Sequence, residues 1–189
     1  HGNYILSLGK LTKWLCKVAE GKGIDIYPNF PGAELLYEDN KIVGVTTRDQ
    51  GIDKQGNKKS TYTPGVDLRA KVTVLCEGSR GSLTKQLVNK FQLDKDKNPQ
   101  VYSIGVKEVW EVPGSDKNQG RVIHTMGYPL DSYTFGGGFI YNMSNNLISL
   151  GLVVGLDYEN PYLDSHNEFQ KFKAHPFVES LLKGGKMVS

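Results

Sequence analysis

The stretch GGGFIYNMSNNLISLGLVVGL, residues 136–156, contains two apolar segments separated by a short polar turn. Residues 138–143 and 147–156 are rich in aromatic and branched aliphatic side chains, and Ser-Asn-Asn at 144–146 separates them. Two such segments joined by a short turn are typical of neighbouring antiparallel strands. The stretch therefore predicts the centre of an antiparallel sheet.

The segments before this stretch add strands to the predicted sheet, and the segments after it add helices. Residues 101–112 and 121–127 show a similar apolar pattern and are predicted as two further strands. Two helices are predicted after the last strand, at 165–174 and 176–183, and the proline that opens the second one suits a first helical position. The second half of the chain is therefore predicted as an antiparallel sheet with C-terminal helices.

The first half of the chain shows a different order of elements, which is typical of an α/β arrangement. A charged linker at 93–99 marks a candidate boundary, so we predict one domain over residues 1–100 and another over 101–189. The predicted elements of the first domain are a helix at 10–21, a strand at 24–27, a hairpin at 33–48, an exposed polar hairpin or loop at 49–63, a strand at 70–76 and a helix after Gly81.

Composition limits the classes of function. The chain has 189 residues, of which 38% are apolar and 23% charged, as in ordinary soluble domains. The net charge of +3 is small and the basic residues are scattered, which argues against a nucleic-acid partner. Two cysteines, Cys16 and Cys76, are too few to ligate an iron–sulfur cluster, so no metal site is predicted within this chain.

The turn Glu77-Gly-Ser-Arg-Gly81 is the first candidate site. It joins a predicted strand to a predicted helix, so free N–H groups at the helix start could bind an anion such as a pyrophosphate. Glu77 could accept a hydroxyl of a ribose or ribityl group, and Arg80 could add positive charge. A plain strand-to-helix turn is the alternative, and no Gly-x-Gly-x-x-Gly string follows a strand in this chain.

The glycine triplet Gly136–Gly138 is the second candidate site. Glycine lets a ligand approach the backbone, and the aromatic residues Phe135 and Phe139 could form flat apolar walls around a ring that carries carbonyl groups. A bend or bulge in the sheet is the alternative explanation. His124, in the strand predicted just before, could transfer protons near neutral pH, or could be a structural histidine.

Many strings of this chain resemble the electron transfer flavoprotein–ubiquinone oxidoreductase family. The most specific is GLVVGLDYENPYL at 151–163, and together the strings extend over almost the whole chain. The others include HGNY at 1–4, LGKLTKW at 8–14, TRDQGIDK at 47–54, AKVT at 70–73, EG at 77–78, IGVKEVW at 104–110, HTMG at 124–127, PLD at 129–131, EFQ at 168–170 and HP at 175–176.

The resemblance implies an oxidoreductase that accepts electrons from reduced electron transfer flavoprotein and reduces ubiquinone. It implies FAD as a cofactor, together with a 4Fe-4S cluster that is ligated outside this chain. It also implies peripheral attachment to the mitochondrial inner membrane or the bacterial cytoplasmic membrane, without spanning it. The implied fold is an α/β (α+β) flavoprotein, with part of a two-dinucleotide-type FAD domain at 1–100 and part of an antiparallel-sheet ubiquinone-binding domain at 101–189.

The resemblance also implies site residues. Gly136 and Gly137 would lie at the quinone head, with Phe135, Gly138 and Phe139 as a pocket wall. For FAD the implied residues are Glu77, Gly78 and Arg80, with Ala33 on the adenine side. Phe135 stands where the family usually has Tyr, and Gly138 where it usually has Ser, so two hydroxyls are absent from the implied pocket.

Two other readings stay open at this stage. One is a related FAD-dependent monooxygenase or prenyl-lipid reductase of the same fold, and the other is a non-enzymatic α/β binding module. The absence of Met at position 1 and the apolar character of both ends lead us to expect an internal piece of a longer protein, inactive by itself.

Overall fold

A computed structural model describes residues 2–189, and these form two compact units. One unit comprises the residues up to Lys17 together with Gln100–Ser189, and the other comprises Val18–Pro99. Both units combine helices with antiparallel sheets, and every strand pair among the described residues is antiparallel. The mixed α/β class with an antiparallel sheet is therefore confirmed.

Helix α1 spans Leu8–Glu20, close to the predicted helix. It stops because Gly23 adopts a left-handed φ of 79°, which glycine tolerates at little cost. The N–H of Gly23 then donates to the carbonyl of Glu20, and the N–H of Ile24 donates to that of Ala19. This pair of bonds is a Schellman motif, which satisfies carbonyls at the helix end.

The unit Val18–Pro99 contains a three-stranded sheet and a separate hairpin. Strands β1 (Gly32–Glu38) and β2 (Lys41–Thr47) are joined by Asp39 and Asn40, whose positive φ values are typical of a type I′ turn. The remaining strands are β3 (Gln50–Ile52) and β4 (Lys58–Thr63), which form the polar hairpin expected from the sequence, and β5 (Asp67–Arg69), which pairs with β2.

Two strands predicted in this unit are wrong. Residues 24–27 and 70–76 form no strand, and Val72 and Val74 are each 75% exposed. A strand is stabilised by hydrogen bonds to a neighbour and by burial of its side chains. Among residues 2–189 neither segment forms part of a sheet, and the side chains of Val72 and Val74 stay exposed.

Helix α2 (Ser82–Phe91) follows and packs on β1 through its buried residue Leu83. It ends at Gln92, which takes a left-handed φ of 52°. The N–H of Leu93 then donates to the carbonyl of Val88 and closes the last turn.

The other unit is built on a five-stranded sheet, in the order β10-β6-β9-β8-β7. Its three long strands and β7 were predicted from their apolar patterns, whereas the two-residue strand β10 was missed because it is too short to show one. The strands are β6 (Ser103–Glu111), β7 (Val122–His124), β8 (Gly136–Asn142), β9 (Leu147–Gly155) and β10 (Lys186–Met187).

Helices α3 (Ser165–Ala174) and α4 (Pro176–Leu182) complete this unit as predicted. Asp164 caps α3 by accepting the N–H of Asn167 at 2.7 Å. The core lies between these helices and one face of the sheet, where the largest fully buried side chains are Ile140, Ile148, Leu150, Leu152, Val154, Phe169, Phe172 and Val178.

A buried ion pair links α3 to the same face of the sheet. The ammonium group of Lys173 donates to both carboxylate oxygens of Glu108 at 2.8 Å, and the Trp110 indole N–H donates to Glu108 Oε2 at 2.8 Å. The side chains of Lys173 and Glu108 are only 15% and 12% exposed. The two charge-assisted hydrogen bonds from Lys173 therefore link α3 to β6, and the Trp110 N–H positions the Glu108 carboxylate from within β6.

The register of the strands gives the sheet a second, less covered face. His124 lies opposite Phe139, Phe139 opposite Gly151, and Gly151 opposite Lys107, so these four residues form one row across four strands. Residues two positions along a strand share its face. This open face comprises Lys107, His124, Gly137, Phe139, Tyr141, Ser149, Gly151 and Val153.

Candidate functional site: the glycine triplet and the open face of the sheet

The triplet Gly136–Gly138 begins β8, and the chain's own packing requires all three glycines. A Cβ at Gly136 would overlap the carbonyl oxygen of Val153, and one at Gly137 would overlap the carbonyl oxygen of Thr125. A Cβ at Gly138 would overlap the ring of Phe172 in α3. Gly136 also has a φ of 156°, which side chains rarely adopt. These contacts support the structural explanation for the triplet that the sequence left open.

The register separates the three glycines between the two faces of the sheet. Gly138 faces the core, where its N–H also donates to the Thr125 hydroxyl at 3.0 Å, whereas Gly137 belongs to the open face. Only part of the predicted site can therefore face a ligand above the open face. Gly138 lies with the core instead of in a pocket wall on that face.

Phe135, immediately before the triplet, is 71% exposed. It lines a cavity of about 350 Å³ with Tyr102, Ser103 and Gly155 among its neighbours. Its carbonyl accepts the N–H of Gly155 at 2.7 Å, so the backbone is fixed while the ring stays exposed. Phe135 is thus an apolar group at the edge of the sheet that this chain leaves largely uncovered.

Phe139 lies in the middle of the open face and is half-buried. A Cβ at Gly151, on the neighbouring strand, would come within 2.6 Å of the Phe139 ring, so glycine is what lets this ring lie across the sheet. The ring centroid of Phe139 is 5.1 Å from that of Tyr141, with the planes tilted by 37°. The open face therefore carries a small aromatic surface.

His124 lies at the edge of this aromatic surface. Its Nε2 is 3.1 Å from the hydroxyl of Tyr141, within hydrogen-bond distance, and the two rings are nearly perpendicular at 72°. His124 is exposed, whereas Tyr141 is half-buried. The sequence singled out His124 by residue type, but only the register shows that Tyr141 is its partner.

The loop before the triplet is fixed by Asp131. Its carboxylate accepts the N–H groups of Tyr133 and Thr134 at 3.0 and 2.8 Å. Hydrogen bonds from the side chain and then the backbone of Thr134 lower the pKa of Asp131. The loop includes a cis peptide bond between Tyr128 and Pro129. Asp131 therefore determines the path by which the chain reaches Phe135.

The turn at Glu77 differs from the sequence-based expectation. The carboxylate of Glu77 accepts the N–H of Thr84 at 2.7 Å, the hydroxyl of Thr84 at 2.8 Å and the N–H of Leu83 at 3.2 Å. These bonds, the Thr84 ones first, lower the pKa of Glu77. Two of the N–H groups that were expected to bind an anion are thus occupied by Glu77, which serves as a cap for α2.

The other residues predicted for FAD lie nearby in the same unit. Gly78 and Arg80 belong to a short 3-10 helix before α2, and both are exposed. Gly78 has a φ of 72°, and a Cβ there would meet nothing within 4 Å. Ala33 lies in β1, where its carbonyl accepts the Gln86 amide at 3.4 Å. These three residues and Glu77 are therefore grouped around β1 and the start of α2.

Neither a metal-ion site nor a membrane-spanning helix is found among residues 2–189. No set of three or more His, Cys, Asp or Glu side chains in that range is arranged to hold a metal ion. None of the helices in that range has the length and apolarity needed to cross a membrane.

Comparison with known proteins identifies sequence relatives of this chain. The sequence model of a family described as "ETF-QO, ubiquinone-binding" matches residues 102–189. The electron transfer flavoprotein-ubiquinone oxidoreductases of Dictyostelium discoideum, Pseudomonas aeruginosa and Homo sapiens are 50%, 47% and 46% identical to it over 99–100% of its length. The chain spans only 31%, 34% and 31% of those relatives, respectively.

Comparison with solved structures extends the likeness in fold. A variant of a flavin-dependent brominase aligns with a TM-score of 0.63 at 14% identity, over 95% of this chain and 42% of its own. A geranylgeranyl bacteriochlorophyll reductase-like protein from Thermoplasma acidophilum aligns with a TM-score of 0.58 at 18% identity, over 100% and 43%. At these identities the alignments show a shared fold.

Proposed function

Because the chain belongs to the electron transfer flavoprotein–ubiquinone oxidoreductase family, we propose that the whole protein accepts electrons from reduced electron transfer flavoprotein and reduces ubiquinone. The observation that carries this proposal is the identity of 46–50% to relatives of that name over essentially the whole chain. FAD and a 4Fe-4S cluster would carry the electrons, with the cluster ligated outside this chain. By itself the 189-residue chain would be inactive.

The two halves of the chain would divide this work. Residues 1–100 would form part of the FAD-binding domain, and residues 101–189 part of the ubiquinone-binding domain. The family match at 102–189 supports the second assignment. The fold shared with flavin-dependent enzymes supports the first.

FAD would supply the redox chemistry of the first domain, and the structure limits how that domain holds it. The Glu77 carboxylate already accepts the N–H groups of Leu83 and Thr84 at the start of α2, which argues against a pyrophosphate bound to those two groups. We therefore assign Glu77 chiefly to shaping the turn. Gly78 and Arg80 are the exposed candidates for contact with FAD, with Ala33 on its adenine side.

Ubiquinone would bind at the start of β8. Gly136 and Gly137 would form the backbone wall at the quinone head, and Phe135, Gly138 and Phe139 the surroundings of that wall. The exposed Phe135 ring and the aromatic surface of the open face support this assignment. Gly138 would act indirectly, by letting Phe172 pack beneath the strand.

The protein would act at a membrane surface, because its proposed substrate, ubiquinone, is a lipid dissolved in the membrane. We propose peripheral attachment to the mitochondrial inner membrane or to a bacterial cytoplasmic membrane. Relatives named as mitochondrial and a relative from Pseudomonas aeruginosa are both consistent with this assignment. A related prenyl-lipid reductase is the second candidate, favoured only by the shared fold of the Thermoplasma protein.

The decisive experiment uses the full-length protein. Purified protein should show the absorption bands of flavin and of an iron–sulfur cluster, and should reduce ubiquinone when supplied with reduced electron transfer flavoprotein. A correctly folded but colourless protein would overturn the proposal. A flavoprotein that oxidises a nicotinamide cofactor and leaves ubiquinone unreduced would favour the second candidate.

Phe135 offers a test of the quinone site that leaves the fold intact. Phe135→Ala removes a ring that is 71% exposed, so the protein should fold, while the KM for ubiquinone should rise about tenfold, as expected for losing roughly 1.4 kcal/mol of apolar contact. Tyr133→Ala, in the same loop and 87% exposed, is the matched control and should leave the KM unchanged. Equal KM values in both variants would remove Phe135 from the site.

A further inference from the structure

The pair His124 and Tyr141 has the geometry of a proton path. The 3.1 Å separation between His124 Nε2 and the Tyr141 hydroxyl allows a proton to pass directly between these two atoms. The exposed imidazole can exchange protons with water, and the half-buried phenol lies deeper in the aromatic surface beside Phe139. The pair therefore connects solvent to the open face.

The neighbouring strands offer no competing titratable group close to this pair. On β8 the open-face neighbours of Tyr141 are Phe139 and Gly137, and on β9 they are Ser149, Gly151 and Val153, none of which titrates in the physiological range. Lys107, on β6, is the nearest charged residue in the row and lies three strands away from His124. His124 is thus the one imidazole in this row, and the Tyr141 hydroxyl is the polar group beside it.

We infer that His124 and Tyr141 deliver protons to ubiquinone during its reduction, an inference that rests on the proposed function. Conversion of ubiquinone to ubiquinol takes two electrons and two protons. The electrons come from the redox groups of the whole protein. For each proton, the Tyr141 hydroxyl donates its proton to a quinone oxygen. The resulting phenolate takes the Nε2 proton of the His124 imidazolium. A proton from the solvent then restores the imidazolium.

The test uses two variants that each remove one part of this path. His124→Gln keeps a polar side chain but cannot carry a proton, and Tyr141→Phe keeps the ring but removes the hydroxyl. In the full-length protein, each should lower the rate of ubiquinone reduction by about 100-fold, at the low end of the effect of general acid–base groups. The wild-type and His124→Gln rates should also differ in their dependence on pH, because only the wild type carries an imidazole in the path.

Two measurements separate proton delivery from a structural role. The dissociation constant of ubiquinone, measured by equilibrium binding to the oxidised protein, should rise by no more than about tenfold in either variant, because the rings of Phe139 and Tyr141 remain and at most one hydrogen bond to the quinone is lost. The NMR signals of the His124 ring should move in Tyr141→Phe, because the contact of Nε2 with the hydroxyl is lost. His166→Gln and Tyr162→Phe, exposed residues outside the open face, are the matched controls and should behave as wild type.

The outcomes distinguish this inference from the proposal beneath it. If wild-type protein fails to reduce ubiquinone, the proposed function is wrong and this inference falls with it. If wild-type protein reduces ubiquinone and both variants match its rate and pH profile, only the proton path is wrong. Weakened quinone binding in both variants, with a wild-type pH profile, would also overturn the path and assign the pair to holding the quinone.

Discussion

At the scale of single residues, the glycines at the start of β8 make the sharpest prediction. In Gly136→Ala or Gly137→Ala the new methyl would overlap a backbone carbonyl oxygen, which cannot move without disturbing the sheet. We expect each change to lower the free energy of unfolding by about 3 kcal/mol, the upper part of the usual cost of overpacking. Chemical denaturation of the full-length protein measures this.

Gly105→Ala is the matched control for that experiment. Gly105 lies on β6 of the same sheet, and its added methyl would approach no atom closer than 3.8 Å, so stability should be nearly unchanged. If all three variants were equally stable, strands β8 and β9 would have to shift enough to make room for the added methyl groups. If the prediction holds, a loss of ubiquinone reduction in the Gly136 and Gly137 variants does not by itself identify the quinone site.

Glu77 should make stability depend on pH. Its pKa is lowered in the folded state by hydrogen bonds from Thr84, so its contribution is complete above the unfolded-state pKa and is lost as the pH falls through the folded-state pKa. Glu77→Gln should therefore lower the melting temperature at about pH 7, and its difference from wild type should shrink towards about pH 3. Glu159→Gln, which changes an exposed carboxylate elsewhere, is the control, and its melting temperature should equal that of wild type at every pH. If the melting temperature of Glu77→Gln differed from wild type by the same amount at every pH, the capping role would be contradicted.

At the scale of elements, the ion pair between α3 and β6 should matter for stability. Lys173→Met leaves the buried Glu108 carboxylate without its cation, at a cost of about 3 kcal/mol. The double variant Glu108→Gln/Lys173→Met should recover part of this loss, because no charge is then left unpaired. Denaturant titration checks both values.

Lys171 provides the control for the ion pair. It pairs with Glu168 on the same helix but is largely exposed, so Lys171→Met should change stability little. If Lys173→Met proves equally mild, then water reaches Glu108 and the pair does not fix α3 to the sheet.

The elements that the sequence predicted are those whose partners lie in this chain. The strands at β6, β8 and β9 pair with one another and bury one face, so their apolar patterns were sufficient. The segment at 70–76 has an equally apolar pattern, but a pattern specifies a strand only together with a neighbour, and none pairs with it among residues 2–189. The apolar pattern at 70–76 therefore predicted a strand that the structure does not contain.

Long-range contacts explain why the candidate site was only partly predictable. The sequence identified the glycine triplet, Phe135 and His124 by residue type. It could not show that Gly136 packs on a carbonyl of β9, or that Tyr141 lies beside His124, because these contacts depend on strand register. Nor could it show that the Glu77 carboxylate accepts N–H groups of the first turn of α2, since an exposed carboxylate can also bind water or other side chains.

At the scale of the whole molecule, the 189-residue chain expressed alone should be prone to association. Helix α1 has no buried residue, Trp14 on it is exposed, and so are Val72 and Val74. Exposed apolar groups of this number are typical of surfaces that other parts of a protein cover. We expect the isolated chain to aggregate or to bind a hydrophobic dye; a monodisperse chain with one cooperative melting transition would contradict this.

The packing of the glycine triplet also has a genetic consequence. Every glycine codon begins with two guanines, so any base change at either position introduces a side chain or a stop. Three adjacent codons of this kind, each restrained by a different neighbour, make the start of β8 a concentrated target for harmful missense variants. In a saturation library selected only for folded protein, without any demand on quinone chemistry, this segment should already be depleted of substitutions, whereas Gly105 should not.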